Sequence, residues 1–80
     1  MTRASPADRY AYARYVLHGA ERSLAHEMHR HYERPCALSR KHVRICCKVL
    51  RRARTAFYPA WVAYTAAQAL GQARRVMEMV

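Results

Sequence analysis

The sequence predicts an all-α protein, a small three-helix bundle with a dimer contact available on its third helix. Apolar residues recur at spacings of three and four along most of the chain. Three prolines divide it into segments of helical length. Nothing alternates with the period of two that a half-buried strand requires. Eighty residues allow one domain, taken as 1–80.

The first helix is expected over about 6–33. Ser5-Pro6-Ala7-Asp8 reads as its start, with Ser5 as cap, Pro6 in the first turn and Asp8 closing a capping box. Tyr10, Ala13, Leu17, Ala20, Leu24, Met28 and His31 then form one apolar stripe. Pro35 ends the helix near Glu33, because the residue before proline avoids helical geometry.

After a linker at Pro35–Leu38, Ser39 is expected to cap a second helix over about 39–57. Val43, Cys46, Cys47, Leu50, Ala53 and Phe57 share one face, widened by Ile45 and Val49. Tyr58-Pro59 then reads as a break, opening a third helix over about 59–79. Its core stripe is Val62, Ala66, Ala69, Ala73, Val76 and Val80. A second row, Ala60, Ala63, Ala67 and Gly71, is made of small residues and would let a partner helix approach closely. The competing reading is that alanine simply favours helix.

Charge is the most one-sided feature. Lys and Arg number 15 against 5 acids, a formal net charge of +10. Residues 1–33 carry five Arg and four acids, whereas residues 34–80 carry ten basic residues and only Glu78. Self-repulsion of this kind costs stability unless the chain meets a polyanion or an acidic surface. Arg40, Lys41, Arg44, Lys48, Arg51 and Arg52 gather opposite the apolar face of the second helix. Arg54 falls nearer that apolar face, and Arg74 would extend the patch.

Such a cationic row neutralises phosphates with release of counterions, and arginine forks bidentately onto phosphate or guanine. The segment Ser39-Arg40-Lys41-His42-Val43-Arg44, with Leu50, resembles the recognition helix of helix-turn-helix repressors. That resemblance implies a capping Ser39, polar residues directed at DNA, and Val43 and Leu50 directed at a core. It covers only this segment. The run from Leu24-Ala25 to Ser39 is longer than the tight turn of that motif and holds no glycine.

His26, His29 and Glu33 share a helix side with Cys36 close by, a weak candidate for metal at spacings that match no standard zinc pattern. The alternative is an ordinary His29–Glu33 pair at i, i+4. Tyr10, Tyr12 and Tyr15 crowd the start of the first helix. Trp61 and Tyr64 lie off the third helix's stripe, where they would serve either as partner contacts or as cover for helix seams. The odd set Cys36, Cys46 and Cys47 is no disulfide framework and points to a reducing, cytoplasmic setting. No secretory signal and no apolar run long enough to span a membrane is visible.

The acids are scattered and no Ser/His or Cys/His set is evident, so neither an enzyme nor a cofactor is expected. The functional expectation is a small basic regulatory protein that binds DNA or RNA through the cationic face of the second helix. The alternative is a protein of the kind phage or mobile-element genes encode, docking on an acidic surface of a host protein and modulating or inhibiting it. A homodimer is compatible with either, and no membrane partner is expected.

Overall fold

The computed structural model describes residues 4–79 and consists of two helices. Helix α1 spans Pro6–Glu33, 28 residues, and α2 spans Ala37–Met79, 43 residues. At about 1.5 Å per residue α2 is about 64 Å long. That length sets the 65 Å long dimension of the molecule.

Ser5 caps α1, its side-chain oxygen accepting from the Asp8 amide at 3.1 Å, with Pro6 in the first turn. The Arg34 amide donates to the Arg30 carbonyl at 3.0 Å and closes the last turn before Pro35. Helix α2 begins at Ala37, so Ser39 lies inside its first turn and is not its cap, as had been expected. Cys36 and Ser39 instead satisfy each other. The Cys36 amide donates to Ser39 Oγ at 3.2 Å, and the Ser39 amide donates to Cys36 Sγ at 3.4 Å. This reciprocal pair spans the same three-residue offset as a capping box.

The expected three-helix bundle is overturned, because α2 continues through Pro59 without a break. A proline inside a helix removes the bond to the carbonyl four residues earlier, here Thr55, and costs about 3 kcal/mol. Packing against α1 holds the helix together across that gap. The Tyr10 ring meets Phe57, before the proline, at 5.7 Å between centroids. It stacks on Tyr64, beyond the proline, at 4.5 Å and 8°. One side chain of α1 therefore bridges two turns of α2 with Pro59 between them. No separate third helix exists among the described residues, and the small-residue row Ala60, Ala63, Ala67 and Gly71 belongs to α2.

The helices lie antiparallel: Tyr10 near the start of α1 meets the second half of α2, and His31 Nδ1 at its end lies 2.6 Å from Ser39 Oγ. A helix-turn-helix unit joins its helices at about 90–120°, so the local resemblance does not extend to the fold. The core is small. Ala20, Leu50 and Ala53 are buried, with Leu17 and Leu24 packed against them.

Because α2 is one helix, its inward side is set by the register of Leu50 and Ala53. Half-buried Phe57, Ala60, Tyr64 and Gly71 follow in that register. The stripe expected to form the third helix's core lies on the other side. Val62, Ala66, Ala69, Ala73 and Val76 are all exposed, and Val80 lies outside the described residues. On the second segment's expected core face, Val43, Cys46 and Phe57 are half-buried, whereas Ile45, Cys47 and Val49 are exposed. Met28 is the one member of the α1 stripe that is exposed. No described helix is long and apolar enough to cross a membrane.

Candidate functional site

Arg40, Lys41, Arg44, Lys48, Arg51 and Arg52 are all exposed. Their spacings place them on the side of α2 away from Leu50 and Ala53, so α1 covers none of them. From Arg40 to Arg52 the row rises about 18 Å along an uninterrupted helix. Ion pairs among the described residues involve only Glu27 and Glu33, so no carboxylate neutralises any of the six. Lys48, Arg51, Arg52, Thr55 and Ala56 line a shallow depression of about 420 Å³ on this face. Thr55 Oγ1 donates to the Arg51 carbonyl at 2.9 Å, which turns its hydroxyl back onto the helix.

Arg54 follows the buried Ala53 and is exposed at the edge of the row. Arg74 lies more than four turns farther along α2, away from the row. The face in line with the cationic row changes character beyond Pro59, where Val62, Ala66, Ala69 and Ala73 replace the charges. The outer side of α2 is therefore basic in its first half and apolar in its second.

The two candidate aromatics separate. Tyr64 is half-buried against Tyr10 and belongs to the helix interface. Trp61 is 43% exposed and tilts against exposed Tyr58 at 6.1 Å, one and two turns beyond Arg54.

The histidines are distributed among different contacts. His29 Nε2 lies 3.0 Å from Glu33 Oε1 in an exposed i, i+4 pair. His26 is exposed and shares neither contact, and Cys36 bonds with Ser39 rather than with these residues. Among the described residues no three His, Cys, Asp or Glu side chains converge as metal ligands do. Glu27 is the most enclosed carboxylate of the recorded pairs, 3.7 Å from both Arg30 Nη1 and His42 Nδ1. Its Oε2 atom is buried without a hydrogen-bond donor.

At the turn, Cys36 is exposed at the start of α2. Hydrogen bonds from the Ser39 side chain and amide, then from the Leu38 amide, outweigh its slight desolvation and hold its thiol below the ordinary range. The nearby Arg30 charge acts in the same direction. Sequence reasoning missed this Cys36–Ser39–His31 network, although the three-residue offset from Cys36 to Ser39 was a usable signal.

Comparison with known proteins returns no matching family model, no matching curated protein and no matching solved structure.

Proposed function

We propose that this chain is a small basic regulatory protein that binds nucleic acid through the outer face of the first half of α2. The observation that carries this reading is the row Arg40, Lys41, Arg44, Lys48, Arg51 and Arg52, exposed on one side of one straight element with no carboxylate against it. A solvated face kept for solubility needs no such segregation, since mixed charges serve that end equally well. Rigid presentation on a helix lets the cations meet successive phosphates without first being ordered. The row offers contacts to the backbone; it does not by itself specify a base sequence.

A second reading is supported by Tyr58 and Trp61, exposed just past the end of the row. Aromatics beside arginine are the usual composition of a protein hot spot. Under that reading the same face docks on an acidic protein surface and modulates it.

Fluorescence anisotropy of labelled duplex DNA, duplex RNA and single strands, titrated across a salt series, separates the two. Nucleic-acid binding predicts affinity that persists at about 0.15 M salt, with a log–log slope implying several phosphates neutralised. Replacing Arg44, Lys48 and Arg51 with Ala together should lower that slope by about 2–3. Loss of binding to every nucleic acid by about 0.15 M salt would reject this reading in favour of the protein surface. Loss concentrated in Trp61→Ala would do the same.

A further inference from the structure

We infer that the groove between α1 and α2 on one flank of the hairpin is the contact surface for a second copy of this chain. The groove is about 400 Å³ and is built by both helices, with Tyr12 and Val16 on one side and Ala56, Ala60 and Ala63 on the other. Arg9 is the one charged residue among its lining. Exposed Ile45 and Val49, four residues apart, stand eleven and seven residues before Ala56 and prolong the same line along α2. The inference stands independently of what the cationic row binds.

Two magnitudes show how much surface a single copy leaves uncovered. A folded monomer of 9.3 kDa exposes about 5,000 Å², whereas this chain exposes 7135 Å². Its radius of gyration is 18.6 Å, against about 12 Å for a compact domain of this length. The surplus, about 2,000 Å² per chain, exceeds the roughly 800 Å² per partner of a standard complex and falls in the range of obligate homodimers.

Charge decides which apolar surface is used. The exposed stripe Val62, Ala66, Ala69 and Ala73 continues directly from the cationic row. A second copy seated there would bring two unneutralised rows towards each other. The groove lies on the flank and adjoins the row at Ala56, which also lines the depression beside Lys48, Arg51 and Arg52, so covering it leaves the outer side of both rows in solvent. Its alanines also let a helix approach closely, while Tyr12, 71% exposed in the single chain, supplies a large side chain to bury.

Sedimentation equilibrium of the full chain, freed of nucleic acid by nuclease and high salt, tests this directly. The expected result is twice the 9.3 kDa chain mass, with a melting temperature that rises with protein concentration. Ala56→Glu and Ala63→Glu each place a charge in the groove and should weaken association at least ~10-fold. Ala66→Glu, on the outer face, should leave it unchanged. A single-chain mass at about 50 µM, with a melting temperature independent of concentration, would overturn the inference, and neither measurement relies on a variant. A dimer that survives both groove variants, or that Ala66→Glu disrupts equally, would overturn the choice of surface.

Discussion

The sulfur of Cys36 accepts from the Ser39 amide while the Ser39 hydroxyl accepts from the Cys36 amide. The Ser39 side chain against the sulfur, Sγ to Oγ 3.4 Å, and then the Ser39 amide favour the thiolate and hold the Cys36 thiol below its ordinary range. A depressed thiol makes the folded state relatively more stable above the ordinary thiol range. That increment is lost as pH falls through the lowered value. Ser39→Ala removes the leading cause of the shift. The pH midpoint of Cys36 alkylation, followed by mass spectrometry of the labelled peptides, should then move upward, with Cys47 unchanged as an internal reference. An unmoved midpoint would show that Ser39 does not set this thiol. His31 and Ser39 were legible only as members of their helices, because their 2.6 Å contact depends on how α1 returns beside α2.

At the scale of the element, Pro59 is the position where sequence and structure part. Proline normally stops a helix because it lacks a donor and crowds the preceding turn. Here the Tyr10 ring spans Phe57 and Tyr64 and stabilises the turns on either side. Pro59→Ala restores the amide to Thr55 and should raise the hairpin's stability by about 1–3 kcal/mol. The thermal unfolding curve followed by circular dichroism measures this. Pro59 also lines the groove between the helices, and destabilisation instead would mean that its ring contributes more there than it costs the helix. The ends of α1 were readable, since Ser5, Pro6 and Pro35 act locally. The start of α2 was displaced by two residues because Cys36, bonded reciprocally with Ser39, stands before the first turn and Ser39 lies inside it.

For the whole molecule, burial is concentrated where the middle of α1 packs on the first half of α2, at Ala20, Leu50 and Ala53. The end of α2 has little to pack against: Ser5, Pro6 and Ala7, at the start of α1, share a cavity with Gly71 and Arg75. Val76, Met77 and Met79, farther on, are exposed. Amide hydrogen exchange should therefore be slowest around Leu50–Ala53 and Leu17–Leu24, and faster by orders of magnitude over 76–79. Uniform protection along α2 would contradict this distribution of stability. The cationic row was fully legible in the sequence, because a helical period and an absence of acids are both properties of the chain. The groove was not, since it exists only between two helices.

Sequence alone determined that the chain is helical, where α1 begins and ends, and which side of α2's first half is charged. Each of these depends on residues within about two turns of one another. Tertiary structure decided the number of helices and the inward side of the chain beyond Pro59. Val62, Ala66, Ala69 and Ala73 have an ordinary core period, yet a continuous helix must keep the register of Leu50 and Ala53, and that register turns them outward. Periodicity shows that a helix has an apolar side, while only the neighbouring helix determines which side is covered.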